Sequence, residues 1–280
     1  MIAGFFVVRS LAKRDARGAW GFLGHRVWRL YGAFLVWSVI YLGARVVNYA
    51  LFQKVSVIRP GWDLLFFGTT YHLWFPPFLV AATLLTFPFV LIAMRSRESM
   101  RMGAAVLVIV AAAILLLPEP GVLLYGGESM LPLERLYSRI PGYLIGLALG
   151  LWIQAGLFPR VPLRHALVCA GIVVAAIYLS LATELPPQFL NRMAALAAFL
   201  IALAPWRGRV AEMLGRFGQL GFGVYLCHVL IVEGTIAFLG RMRVPESFGL
   251  DMLVFAVSVV GSFGLAFAMR RVRWLAWLIP

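Results

Sequence analysis

Two histidines in apolar surroundings are the side chains of this sequence best suited to catalysis. His228 lies near the middle of an apolar run over residues 218–239, and Tyr225, three residues earlier, shares its face of a helix. His72 follows Tyr71 where another apolar run begins. A neutral imidazole can take a proton from a hydroxyl, so both histidines are candidate catalytic bases, with Tyr225 a neighbour that could hydrogen-bond to His228. The alternatives are that His228 packs between helices and that His72 anchors the chain at a membrane interface.

Two arginines form a second candidate site at the start of an apolar run. Arg26 and Arg29 are three residues apart, so a helix places both guanidinium groups on one face. Guanidinium groups bind phosphate oxygens through pairs of parallel hydrogen bonds, which suits a ligand with several phosphates. Arginines at the end of an apolar run also fix membrane orientation, and the spacing alone leaves both interpretations open.

The elements that carry these residues are apolar runs long enough to cross a bilayer. Of the 280 residues, 62% are hydrophobic and 13% are charged, which leaves too little polar surface for a water-soluble globule. A span needs about 20 mostly apolar residues, and eight runs qualify. They predict an all-α, polytopic helical membrane protein with a single domain over residues 1–280. The runs are 30–51, 73–94, 103–118, 140–158, 165–183, 188–205, 218–239 and 250–269.

An apolar run at the N-terminus, residues 1–8, is too short to cross a membrane. Positive charges follow this run, whereas they precede the apolar part of a cleavable signal peptide. We therefore expect it to be the end of a truncated ninth helix, with Met1 an internal methionine of a longer protein. Residues 9–29 are then expected to form a basic cytoplasmic loop.

Basic residues are concentrated in every second connection between the apolar runs. The net charge is +14, and most Lys and Arg residues lie in 9–29, 95–101, 160–164, 207–216 and 270–273. This asymmetry assigns those segments to the cytoplasm. It indicates membrane lipids, and no nucleic acid, as the partners of the positive charge. Arginine is used far more often than lysine, which hints at a GC-rich bacterial genome and a multi-pass protein of the bacterial plasma membrane.

A stripe of glycines predicts close packing between two helices. Gly142, Gly146 and Gly150 recur every four residues on one face, where another backbone can approach closely. The two cysteines, Cys169 and Cys227, both lie within predicted spans. They indicate neither a disulfide framework nor a thiolate metal site.

Three prolines mark the span that follows His72. Pro76, Pro77 and Pro88 lack the backbone N–H that a helix interior uses. We expect them to bend this helix beside a cavity, where neighbouring groups or water satisfy the freed carbonyls.

Three segments together resemble integral-membrane acyltransferase family 3, whose members include sugar and polysaccharide O-acetyltransferases. The first joins GFFVVRS (4–10), HRVWRLY (25–31) and FLVWSVIY (34–41). The second is YHLWF (71–75), and the third runs from LGRFG (214–218) through GVYLCH (223–228). Their order and spacing are similar to nine of the family's ten spans. The family's first helix, with its basic residue and histidine, has no match here.

The resemblance implies transfer of an acetyl or similar acyl group from cytosolic acyl-CoA to a hydroxyl of an extracytoplasmic or lipid-linked glycan. In that scheme Arg26 and Arg29 hold the CoA phosphates. His72, or the histidine of the absent first helix, removes the hydroxyl proton, and no bound cofactor or metal is required. A chain without the family's main base is expected to transfer acyl groups poorly.

Two other classes of function fit the sequence. A transporter or flippase for a glycan or lipid intermediate would also need a polar cavity between helices, although we find no inverted repeat of the kind that many transporters contain. The second class is a non-catalytic remnant that acts as a partner in a glycan-assembly complex. Acyl transfer from CoA separates an enzyme from both.

Overall fold

The protein is helical throughout the part of the chain that its computed structural model describes. That part is residues 1–52, 64–70, 72–116, 131–156, 208–242 and 247–279, with short stretches at 168–172, 174–175, 178–179, 201 and 245. Eight α-helices are defined within it. They are α1 (Ile2–Leu11), α2 (Ala16–Phe52), α3 (Leu64–Phe67), α4 (Phe75–Ala93), α5 (Arg97–Leu116), α6 (Leu131–Gln154), α7 (Gly208–Arg241) and α8 (Phe248–Arg271). A short 3₁₀ helix, Ala276–Leu278, follows α8.

Five of these helices are long and apolar enough to cross a membrane. The candidate spans are Arg17–Val47, Phe75–Ala93, Arg97–Leu116, Ala211–Arg241 and Phe248–Arg271. They confirm the prediction of an all-α, polytopic membrane protein. Helix α6 covers most of the run predicted at 140–158, although it is not among the five. Most of the runs predicted at 165–183 and 188–205 lies outside the described residues.

The N-terminal basic segment is mostly helical, so the prediction of a loop over residues 9–29 was wrong. Only residues 12–15 separate α1 from α2. Asp15 ends this connection, and its carboxylate oxygen accepts a hydrogen bond from the backbone N–H of Gly18 at 2.8 Å. This is the usual N-cap arrangement, and no proline follows to stop the helix. Helix α2 therefore begins well before the apolar residues and carries the basic side chains on its first turns.

Two of the three prolines of α4 lie in its first turn, and one lies in its interior. Pro76 and Pro77 occupy the first turn, which begins at Phe75. Backbone N–H groups in a first turn have no partner within the helix, so proline is tolerated there and its fixed φ favours helix initiation. Only Pro88 lies within the helix. The first two prolines thus start α4, and the bend of this helix beside a cavity stays a prediction.

The chain divides into two compact units, and the division falls within α2 and α4. The first unit comprises residues 1–20 and 82–208, and the second comprises 21–81 and 209–280. The single-domain prediction for residues 1–280 stays a prediction.

In the first unit, α1 packs against the glycine stripe of α6. A Cβ atom on Gly150 would lie 2.8 Å from the Cβ atom of Val8 and 3.3 Å from the backbone oxygen of Phe5. A Cβ atom on Gly146 would collide with the backbone of Met1. The glycine stripe therefore permits the close helix contact that the sequence predicted.

In the second unit, α2 and α7 enclose an apolar core. Phe34 and Trp37 of α2 are at most 2% exposed, and the indole N–H of Trp37 donates to the backbone oxygen of Leu278 at 3.4 Å. Cys227 is buried there as a free thiol and donates to the backbone oxygen of Ser262 on α8 at 3.5 Å. Cys169 is also a free, buried thiol.

Candidate active site

A tight turn between α3 and α4 places His72 against α2. Gly68 has a φ of 70°, in the left-handed region that glycine adopts without strain. A Cβ atom there would also lie 2.7 Å from the side chain of Leu73. The next residue, Thr69, donates its hydroxyl to the backbone oxygen of Ser38 at 2.9 Å. The turn is thereby attached to the middle of α2, and the side chain of His72, which belongs to this turn, is buried.

The His72 ring lies among three other rings, one of which belongs to the second candidate histidine. The ring centroid of His72 is 5.3 Å from that of His228 and 5.7 Å from that of Tyr225, both on α7. It is 5.0 Å from that of Tyr41 on α2. The structure therefore brings together His72, His228 and Tyr225, which the sequence had placed in two separate segments.

Hydrogen bonds to the backbone orient the two residues of α7. The Nδ1 atom of His228 lies 2.7 Å from the backbone oxygen of Tyr225. A carbonyl oxygen only accepts, so neutral His228 carries its proton on Nδ1 and presents Nε2 as a proton acceptor. The Tyr225 hydroxyl donates to the backbone oxygen of His72. Tyr225 thus binds His228 through its carbonyl group, while its hydroxyl holds the turn of His72.

Tyr41 is a member of this cluster that the sequence analysis missed. The side chain is 1% exposed. Its hydroxyl donates to the backbone oxygen of Leu226 at 2.8 Å and accepts from the backbone N–H of Leu230 at 3.1 Å. A tyrosine within an apolar span needs a partner for its hydroxyl, and that signal could have identified it.

Two buried hydroxyl groups were also missed, that of Thr70 in the turn before His72 and that of Ser38, the residue of α2 to which this turn is hydrogen-bonded. Thr70 is 3% exposed and Ser38 is 9% exposed, and neither hydroxyl has a hydrogen-bond partner among the residues described. An unsatisfied buried hydroxyl is destabilising, so such groups call for an explanation, and a site for a polar ligand provides one. Ser38 lies three residues before Tyr41 and therefore on its side of α2.

The surroundings of His72 favour its uncharged form. His72 lies in the turn before the membrane-spanning helix α4. Burial lowers its pKa to about 4, the charge of His228 acts in the same direction, and the backbone of Leu226 opposes them more weakly. At neutral pH, His72 is an uncharged imidazole beside the Nε2-accepting ring of His228.

The arginine pair lies on the same helix as Tyr41 but apart from the ring cluster. Arg26 and Arg29 are partly buried on α2, and the Arg26 guanidinium lies 6.0 Å from the ring centroid of Phe22. Twelve residues separate Arg29 from Tyr41, which corresponds to about 18 Å along a helix axis. The two arginines therefore cannot act on the same atoms as the histidines. His25 is exposed on α2.

The site holds His228, whose Nε2 can accept a proton, the uncharged ring of His72 beside it, and two hydroxyl groups without a hydrogen-bond partner among the described residues. These groups are suited to transfer of a group to a hydroxyl. The family model of the acyltransferase domain matches residues 1–271 of the chain. No curated protein and no solved structure matches it. The family match covers nearly the whole chain and includes all eight α-helices described above. The protein is a membrane acyltransferase and belongs to acyltransferase family 3.

Proposed function

We propose that the protein is an O-acyltransferase that moves an acetyl or similar acyl group from cytosolic acyl-CoA to a hydroxyl of an extracytoplasmic or lipid-linked glycan. The observation that carries this proposal is the pairing of His72 with His228, whose ring centroids are 5.3 Å apart. The buried hydroxyls of Ser38 and Thr70, which have no hydrogen-bond partner among the described residues, support it. This set provides a base and two hydrogen-bond donors, all within the second unit.

His228 is the better placed of the two histidines to accept the proton. It is partly exposed, whereas His72 is buried, and its Nδ1–H bond to Tyr225 leaves Nε2 as the acceptor. When His228 takes up a proton, the neutral ring of His72 beside it exerts no charge repulsion. We therefore assign proton transfer to His228 and support of the imidazolium to His72.

The reaction balances with these groups alone. The acceptor oxygen attacks the thioester carbonyl carbon while its proton moves to His228, and a tetrahedral oxyanion forms. We assign stabilisation of that oxyanion to the hydroxyls of Ser38 and Thr70, which have no hydrogen-bond partner among the described residues. The carbon–sulfur bond then breaks, the new ester remains on the acceptor, and the proton passes from His228 to the leaving thiolate.

The arginine pair fits the donor end of this reaction. A CoA thioester carries its phosphates at one end and its reactive carbon at the far end of a long flexible arm. Arg29 and Arg26 lie on the helix that also carries Tyr41, about 18 Å and about 22 Å away along its axis. That separation suits a donor whose phosphates stay at the cytoplasmic end while its acyl group reaches the histidines.

Transfer of radiolabelled acetyl groups tests the proposal. Membranes from cells with chromosomal variants are incubated with labelled acetyl-CoA, and the label in the glycan and lipid fractions is counted. His228→Ala and His72→Ala should each lower transfer by about 100-fold or more, the usual range for loss of a general base. His25→Ala is the matched control, because His25 is an exposed histidine on α2. Wild-type membranes that move a glycan without labelling it would make the protein a transporter instead.

Binding of the donor is tested separately. Arg26→Gln with Arg29→Gln should weaken acetyl-CoA binding, and the difference from wild type should shrink at high salt because the contacts are ionic. Arg14→Gln with Arg17→Gln is the control, since it removes two exposed charges from the same basic segment. An unchanged dissociation constant in the first variant would return Arg26 and Arg29 to a role in topology.

A further inference from the structure

A hydroxyl from α2 bridges one turn of α7. In a regular α-helix the backbone N–H of Leu230 donates to the backbone oxygen of Leu226. Here the Leu230 N–H donates to the hydroxyl of Tyr41 at 3.1 Å, and that hydroxyl donates to the Leu226 oxygen at 2.8 Å. The phenol therefore joins the donor and the acceptor of a single helical hydrogen bond.

The bridged turn is the one that carries His228. His228 lies midway between Leu226 and Leu230, so any change in this turn moves its imidazole. The same tyrosine ring lies 5.0 Å from the ring of His72 at an interplanar angle of 76°. Tyr41 is thus the residue that touches one histidine and hydrogen-bonds to the turn of the other.

The surroundings make these bonds durable. Tyr41 is 1% exposed, and both Leu226 and Trp37 beside it in the core are at most 2% exposed. Water has little access to compete for the phenol, and buried polar groups that lose their partners are destabilising. The two bonds therefore fix the distance between α2 and the backbone of α7 at the level of the histidines.

We propose that Tyr41 is a positioning residue that sets His228 against His72. The proposal rests on the proposed function, because the two imidazoles must keep their mutual geometry for proton transfer. Tyr41 itself touches no reacting atom. Phenylalanine would fill the same volume without either bond, so this turn of α7 would lose its hydrogen bonds to α2 and the His228 ring would be free to shift.

The test compares two tyrosines of the same helix. Tyr31 also lies on α2 and donates its hydroxyl to a backbone oxygen, that of Leu65, at 3.1 Å. Among the residues that the structure describes, no hydrogen bond joins the Tyr31 hydroxyl to α7. Tyr41→Phe should lower kcat by about 10- to 100-fold with KM for acetyl-CoA unchanged, since small displacements of catalytic groups have effects of that size. Tyr31→Phe should leave kcat close to wild type. A Tyr41→Phe protein with a raised KM for acetyl-CoA and an unchanged kcat would overturn the proposal.

A spectroscopic readout separates this proposal from the proposed function. In protein labelled with ¹⁵N at the histidine rings, Tyr41→Phe should shift the resonances of His228 and His72, and Tyr31→Phe should leave them in place. Unchanged resonances in folded Tyr41→Phe protein would overturn the positioning role, whether or not the protein transfers acyl groups. A shift in a protein that shows no acyl transfer would support the positioning role while the proposed function fails.

A second variant keeps the test decisive if Tyr41→Phe does not fold. Difluorotyrosine placed at position 41 preserves the shape of the ring but makes its hydroxyl a stronger donor and a weaker acceptor. The bond to Leu226 should then strengthen, the bond to Leu230 should weaken, and the histidine resonances should move. The same substitution at position 31 is the control, and equal spectra from the two proteins would contradict the proposal.

Discussion

Thr70 raises the question of why a buried hydroxyl has no partner. The Thr70 side chain is 3% exposed and lies two residues before His72. Its hydroxyl has no hydrogen-bond partner in the described part of the chain. A structural hydroxyl is normally satisfied, because an unpaired one destabilises the fold by about 1–3 kcal/mol. Binding of a reacting oxygen would explain its persistence.

Replacing Thr70 by valine tests this role at constant shape. Thr70→Val should lower acyl transfer by about 10-fold or more, as loss of an oxyanion donor does. Because no described bond is lost, the free energy of unfolding should stay within about 1 kcal/mol of wild type or rise. Initial rates and thermal unfolding in detergent measure the two quantities.

Thr235→Val is the matched control for Thr70. The Thr235 hydroxyl donates to the backbone oxygen of Ile231 within α7 at 2.7 Å, so it is already satisfied. Its loss should leave the transfer rate near wild type. Equal rates for Thr70→Val and wild type would show that the Thr70 hydroxyl does not bind a reacting oxygen.

The depressed pKa of His72 predicts how stability changes with pH. Unfolded His72 binds a proton below its ordinary pKa of 6.5, whereas burial holds the folded pKa at about 4. The unfolded state therefore binds more protons between these values, and stability falls as the pH falls from 6.5 towards 4. Above pH 6.5 the contribution is fully present. Thermal unfolding of wild type should show this decrease, and His72→Gln should show a smaller one.

His25→Gln provides the comparison for the pH experiment. His25 is exposed on α2, so its removal should leave the pH dependence as in wild type. An identical pH dependence in His72→Gln and wild type would mean that His72 is as easily protonated in the folded protein as in the unfolded one.

The sequence predicted the site in part, and the missing part has a physical reason. His72, His228 and Tyr225 could be identified because ionisable or hydroxylated side chains in apolar runs are rare and need partners. Ser38 and Thr70 have ordinary residue types for a helix and a turn. Their significance comes from burial against a segment distant in sequence, which local patterns do not contain.

Among the elements, the close contact between α1 and α6 requires glycine at positions 146 and 150 of α6. A methyl group on Gly150 would approach Val8 to 2.8 Å, closer than carbon atoms normally pack. Gly150→Ala should therefore separate α1 from α6 and lower the free energy of unfolding by about 1–3 kcal/mol, the usual effect of overpacking. Thermal or denaturant unfolding measures the change.

Gly142→Ala serves as the control on the same helix face. The nearest atom to a Cβ atom there, the backbone nitrogen of Met1, is 3.9 Å away, which is ordinary contact. The substitution should be neutral or stabilising, because alanine favours helix more than glycine does. Equal destabilisation by both variants would mean that the α1–α6 contact is not the cause.

Element boundaries show where sequence reasoning reached its limit. The apolar runs gave α2, α4, α5, α7 and α8 because hydrocarbon leaves the backbone no choice but helix. The basic segment before α2 has no such constraint, and the charge pattern gave no sign that the Asp15 N-cap would extend the helix through it. Charge identifies the side of the membrane but does not specify the backbone conformation.

For the molecule as a whole, the distribution of charge predicts which ends of the helices face the cytoplasm and therefore which site a cytosolic substrate can reach. The net charge is +14, and the basic clusters recur in every second connection. The short connection between α4 and α5 and the arginine pair of α2 are both assigned to the cytoplasm by this pattern. The proposed entry of acyl-CoA depends on that assignment.

Labelling of engineered cysteines tests the orientation directly. Arg97→Cys lies at the exposed start of α5, and Pro245→Cys is at an exposed position between α7 and α8. The native thiols of Cys169 and Cys227 are buried and should not react with a membrane-impermeant maleimide. In intact cells the reagent should label the cysteine at position 245, and position 97 should react only after permeabilisation. The reverse pattern would place Arg26 and Arg29 outside the cell, where no acyl-CoA is available, and the acyl donor would have to be a different molecule.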